Sequence, residues 1–194
     1  MVGVMYHIKQ DKRSRTSAAL IWEGMQKCLH RKEFRQVTVT ELASASGVGK
    51  ATFYRLFDSK EDVLRLACDH CFDGLLASYW EACNTGRSPG LIPYYIRYLQ
   101  ESRELLKWCI DMGRSDIILE AHRRAIEKYA PCFFPRLEQD SEEFIYFVNM
   151  RNGILLGLIH AWLLTEKTVS PGRVETLVMQ QIKDFSDKAL SPSE

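Results

Sequence analysis

The groups in this chain best placed to do chemistry are hydrogen-bond donors between residues 40 and 60. Lys50, Thr52, Tyr54 and Arg55 stand within six consecutive positions, with Thr40 ahead of them and Lys60 just beyond. Hydroxyls and cations in such a run can hold phosphate oxygens and so set the register of a protein on a polyanion. A lysine can also donate to guanine N7 and O6 in a major groove, and the small residues beside it, Gly49 and Ala51, allow close approach, Ala51 against a thymine methyl. The charge distribution has the same sense. The formal net charge is +1, but residues 1–65 hold 12 basic and 7 acidic side chains, and residues 66–194 hold 14 and 18. A basic head on a slightly acidic body directs the head alone toward phosphates.

Other chemistries find no support. Gly47-Val48-Gly49-Lys50-Ala51-Thr52 has the outline of a phosphate-binding loop, but that motif needs a glycine five before the second one and Ser or Thr directly after the lysine, where Ser44 and Ala51 stand. Cys68-Asp69-His70-Cys71 has metal-like spacing. On one continuous helix only the two cysteines share a face, and no second ligand pair accompanies them, so they read as core residues. The six cysteines are spread through helical patterns in a sequence without a secretory signal, which implies reduced thiols and a cytoplasmic protein. No Ser-His-Asp set, carboxylate pair or glycine-rich cofactor motif stands out, so neither an enzyme nor a cofactor or metal is expected. The most apolar run, Gly153 to Leu164, is short of the roughly 20 residues a membrane span requires and contains His160.

The elements that must position the donors follow from periodicity. Apolar residues recur at three and four throughout, which predicts an all-α chain of about nine helices. Residues 1–15 read as a frayed basic arm. A first helix is expected from Thr16 to Arg31, with Ala18, Ile21, Trp22, Met25, Cys28 and Leu29 on its buried face. Thr38 with Glu41 forms a capping box that opens a short helix, and Gly47 supplies the positive φ of a tight corner. A second short helix covers Lys50 to Phe57, anchored by Phe53 and Phe57. Ser59 with Asp62 repeats the capping box and opens a long helix toward Trp80. Beyond a loop at residues 84–90, helices are expected over 91–109 and 115–129, a break near Pro131 and Pro135, a very apolar helix from Ser141 to Thr165, and a last one from Ser170-Pro171.

Two short helices joined by a glycine turn outline a helix-turn-helix. The segment Val37-Thr38-Val39-Thr40-Glu41-Leu42-Ala43-Ser44-Ala45-Ser46-Gly47-Val48-Gly49-Lys50-Ala51-Thr52-Phe53-Tyr54-Arg55-Leu56-Phe57, continued by Ser59-Lys60-Glu61 and Leu64, resembles the DNA-binding segment of the tetracycline-repressor (TetR) family. The resemblance covers about residues 16–65. It implies a DNA-binding domain over 16–65, with the helix-turn-helix at 37–56, and a helical ligand-binding and dimerisation domain over 66–194. It also implies that Thr40, Lys50, Thr52, Tyr54 and Lys60 approach double-stranded DNA, beside Gly49, Ala51 and Arg55. Two positions depart from the family pattern: Gly49 stands where a serine often caps the recognition helix, and Leu56 where a histidine often sits.

The resemblance further implies a homodimeric, cytoplasmic repressor released from a palindromic operator by a small hydrophobic or aromatic effector. Trp108, His122, Phe147 and Arg151 are the expected effector contacts. Gly153, Gly157 and Ala161 recur every four residues and, with Leu177 and Ile182 of the last helix, suggest half of a four-helix dimer interface. The plainer reading of the same helices is a monomer core. An activator of the same family, or a helical small-molecule-binding protein that no longer meets DNA, are the alternatives.

Overall fold

The structure, a computed structural model, describes residues 6–9, 11–86, 90–139, 141–164 and 170–189. Among these residues the protein is all-α: nine α-helices, one 3-10 turn at Phe34–Gln36 and a single isolated β-bridge. The chain divides into two compact units, Met1–Phe72 with Glu104–Ala125, and Asp73–Arg103 with Ile126–Glu194. The first unit is therefore larger than the segment 16–65, because a pair of later helices joins it.

In the first unit, α1 (Lys12–Leu29) begins earlier than expected and shortens the arm. Asp11 is the reason. Its carboxylate accepts from the Ser14 amide and hydroxyl, both at 2.9 Å, satisfying an otherwise orphaned helix amide. The expected stripe of α1 is buried with the addition of Ser14 and Gly24. Then come α2 (Val39–Ser46), α3 (Lys50–Leu56) and the start of α4 (Lys60–Asn84). The unit is completed by α6 (Arg103–Asp111), from Glu104 on, and the first part of α7 (Ser115–Phe133). Its core contains Ile21, Met25, Leu42, Phe53, Phe57, Leu64, Phe72, Leu106, Ile117 and Ile118, each less than 2% exposed.

The helix expected over 91–109 is two helices, α5 (Leu91–Glu101) and α6. Ser102 interrupts them at φ −101°, its amide donating to Leu99. The break expected at Pro131 does not occur there either, since α7 continues to Phe133. Proline takes away the amide that would serve the Glu127 carbonyl, and the Gln139 side-chain amide donates to that carbonyl instead.

The second unit holds α5, the later part of α4 and of α7, α8 (Glu142–Leu164) and α9 (Pro171–Ala189), with α5 packed on α9. Phe144, Val148, Asn152, Leu155 and Ile159 form the buried stripe of α8. By length and composition alone α8 could cross a membrane, being longer than the apolar run within it. It also carries Asn149, Arg151, Asn152 and His160, and its stripe is the ordinary core spacing of three and four.

Candidate nucleic-acid interface

The donor cluster is held by two caps and a glycine. At the start of α2 the capping box is complete: the Glu41 amide donates to Thr38 Oγ1 at 3.3 Å, and the Thr38 amide and hydroxyl both donate to Glu41 Oε2 at 2.9 Å. The other oxygen of Glu41 accepts from Lys32 Nζ. Lys32, and then the Thr38 donors, hold the Glu41 carboxyl down to about 2. Gly47 ends α2 at φ +68°, where a side chain would be strained. Ser46 ties the corner, its hydroxyl donating to the Leu42 carbonyl at 2.6 Å and accepting from the Val48 amide at 3.2 Å. A Cβ placed on Gly24 would lie 2.9 Å from both the Cβ and the amide nitrogen of Ser46, so α1 meets this corner backbone to backbone.

Helix α3 starts from Gly49 in extended conformation (φ −63°, ψ 148°), with no side-chain cap. The Gly49 carbonyl accepts from the Thr52 and Phe53 amides at 2.9 and 3.0 Å. Phe53, Leu56 and Phe57 are almost completely buried, with the two phenylalanine rings 5.6 Å apart. Burial of this kind stabilises by about 2 kcal/mol per side chain and fixes which face of α3 looks outward. That face carries Lys50, Ala51, Tyr54 and Arg55, with Tyr54 57% exposed, while Thr52 is half-buried; Thr40 is exposed at the start of α2. Leu56, at the position where the resemblance raised a polar contact, is core.

Lys60 requires a correction. It does not stand free as a phosphate donor: its ammonium donates to the carbonyls of Phe34, Val37 and Arg35 at 2.7, 2.9 and 3.3 Å and lies 4.5 Å from the Phe34 ring centroid. With three donors engaged, it clamps the 3-10 turn to the start of α4. The second capping box sits beside it, with the Ser59 amide and hydroxyl both 2.8 Å from Asp62 Oδ2.

A strap that periodicity could not reveal braces the other end of α3. Tyr6 bridges Phe57, and the His7 amide donates to the Leu56 carbonyl at 2.8 Å. The Tyr6 hydroxyl then reaches Asp69 Oδ2 at 2.7 Å, and Asp69 Oδ1 receives Nε and Nη2 of Arg124 at 2.9 and 2.7 Å. Two residues of extended chain carry no hydrophobic period, so only an unusual tyrosine in a basic arm hinted at it.

The expected effector residues do not come together. Trp108 packs edge-on against Trp22 and His30, and His122 is buried against Phe72, all within the first unit. Phe147 and Arg151 belong to the second unit. A cavity of about 450 Å³ in that unit is lined by α5, α8 and α9, and it contains none of the four. Gly157, Ala161 and Leu177, expected at a dimer interface, line it instead. Gly153 is exposed on α8, and the side chain of Ile182 lies outside the described residues. Cys68 and Cys71 are buried, with Cys68 Sγ 3.8 Å from Cys109 Sγ, and burial and the neighbouring thiol push the Cys68 thiol up. Among the described residues no group of three or more His, Cys, Asp or Glu side chains is placed to hold a metal ion.

Residues 26–67 match the family model of bacterial regulatory proteins, tetR family. No curated protein and no solved structure matches the chain.

Proposed function

Since residues 26–67 make this chain a tetR-family bacterial regulatory protein, and so a DNA-binding transcription regulator, we propose that it is a cytoplasmic homodimeric repressor that reads a palindromic operator and leaves it when a small apolar effector binds. The observation that carries the reading is the outward face of α3. Lys50, Ala51, Tyr54 and Arg55 are exposed on a short helix whose opposite face is locked by Phe53, Leu56 and Phe57. Tyr54, Thr52 and Thr40 would hold phosphates, and Lys50 and Ala51 would meet base edges. Lys60 acts by positioning.

Pairing with a second copy is supported by α8 and α9, which leave Ile145, Tyr146, Met150 and Met179 between 57% and 71% exposed. Large apolar side chains in this number are the composition of an interface. Two recognition helices would then stand about 34–36 Å apart, one turn of DNA. The effector would occupy the cavity among α5, α8 and α9, and its effect would pass along α4, which contributes residues to both units. It must bind the DNA-free arrangement more tightly, or it could release nothing.

Selection of duplexes from a random pool by the purified protein tests this reading. The expected product is a palindrome whose half-sites are spaced by a turn of DNA. Enrichment of no sequence, with binding that is equal on all duplexes and collapses with salt, would falsify it.

A further inference from the structure

Arg151 is a buried cation without an anion. It lies on α8 with its guanidinium carbon 4.4 Å from the ring centroid of Phe147 and 5.1 Å from that of Phe134. The two rings stand edge to face, 4.8 Å apart. Among the described residues no carboxylate forms an ion pair with it. The groups that favour its charge are two phenols, Tyr95 and Tyr79, and burial pulls the guanidinium down from its ordinary value. A desolvated guanidinium facing aromatic rings is only partly compensated, because ring quadrupoles replace neither its lost water nor a carboxylate.

The cavity begins where Arg151 ends. Tyr95, which faces Arg151 electrostatically, is one of its lining residues, and Ile154 and Leu155, one helical turn after Arg151, are two more. The lining continues along α8 through Leu158 to Trp162. From Arg151 to Trp162 the helix advances roughly 16 Å at 1.5 Å per residue. No charged side chain lines this path. The arrangement is an apolar channel with one cation at its end.

We propose that the cavity binds an amphipathic monocarboxylic acid, its apolar tail along α8 and its carboxylate on the guanidinium of Arg151. A single arginine balances a single negative charge, and its planar fork fits both carboxylate oxygens. A phosphate dianion would leave a charge uncompensated in an apolar site. The proposal rests on the effector part of the function given above and names the chemical class of that effector.

The test uses the full-length, DNA-free protein with decanoate as probe, and decanol and butyrate as controls, followed by calorimetric titration and melting temperature. Decanoate is expected to bind and raise the melting temperature, at least ~10-fold more tightly than decanol, the margin of one charge-assisted hydrogen bond. Butyrate, lacking the tail, should give no shift. Arg151→Met should equalise decanoate and decanol, while Arg151→Lys keeps most of the preference. Gly157→Leu fills the channel; a Cβ there meets no atom within 4 Å, so the fold accommodates it, and binding of decanoate should fall by about 10-fold or more. No response of the folded wild type to decanoate, equal affinity for acid and alcohol, or an unchanged preference in Arg151→Met overturns the proposal. Retention of the selected DNA duplex is read separately, so loss of the effector site and loss of the DNA reading give different results.

Discussion

The hydroxyl of Tyr6 donates to Asp69 at 2.7 Å across 63 residues of sequence. The bond closes a chain of contacts from Arg124 on α7 through Asp69 on α4 to the backbone that bridges Phe57, the last anchor of α3. The end of the recognition helix is thus fixed by a residue outside the helix-turn-helix.

Tyr6→Phe removes one hydrogen bond to a carboxylate and nothing else. The expected loss is about 1–2 kcal/mol, or a few degrees in melting temperature for a chain of this size. Affinity for the selected operator should fall several-fold, because the end of α3 is freed, with no change in the salt dependence. In Arg124→Ala the Asp69 carboxylate has already lost its cation, so the two substitutions should be non-additive. Additive losses would show that Tyr6 and Arg124 act separately.

Gly24→Ala tests the contact between α1 and the corner. Alanine favours a helix by about 1 kcal/mol over glycine, yet its Cβ would stand 2.9 Å from Ser46 backbone and side chain. Overpacking of this kind costs about 1–3 kcal/mol. Denaturant unfolding should therefore report a less stable variant with weakened operator binding; a more stable one would mean that α1 yields without disturbing the corner.

The Glu41 carboxyl, held at about 2 against an ordinary 4.5, makes the capping box sensitive to acid. A lowered folded value means that the unfolded chain takes up the proton first. The contribution is complete above about pH 4.5 and is lost as pH falls toward 2. Measured between pH 6 and 2, the stability advantage of wild type over Glu41→Gln should shrink with acid. A difference independent of pH would assign the effect to packing instead.

Lys60→Met separates two roles for one residue. As the clamp on the carbonyls of Phe34, Arg35 and Val37, Lys60 should contribute stability, and its loss should lower the melting temperature while leaving the slope of log affinity against log salt unchanged. A phosphate contact would behave in the opposite way, with stability preserved and the slope reduced by about one.

The helix-turn-helix was legible in the sequence because its determinants are local. Thr38 with Glu41, Gly47, and Phe53 with Phe57 each act within four residues of one another, and each performs in the structure the task its type suggests. Lys60 shows where residue type stops being enough: a lysine just after a recognition helix has the chemistry of a phosphate donor, but its direction is set by carbonyls 23 to 26 residues earlier. The strap at Tyr6 rests on a pairing with Phe57 that has no period to announce it. Trp108 and His122 have the composition of effector contacts, and tertiary packing places them in the core of the first unit. Gly157, Ala161 and Leu177 carry the small and apolar character shared by an interface and a cavity wall, so spacing alone could not divide one from the other.

The central claim is that the exposed face of α3 reads bases through Lys50. Its most direct test is the affinity of wild type and Lys50→Ala for the selected operator and for random duplex at several salt concentrations. A base contact predicts a loss on the operator of about 1–3 kcal/mol, a smaller loss on random duplex, and relaxed preference at one position of each half-site. Equal losses on both duplexes, with the preferred sequence unchanged, would contradict the claim.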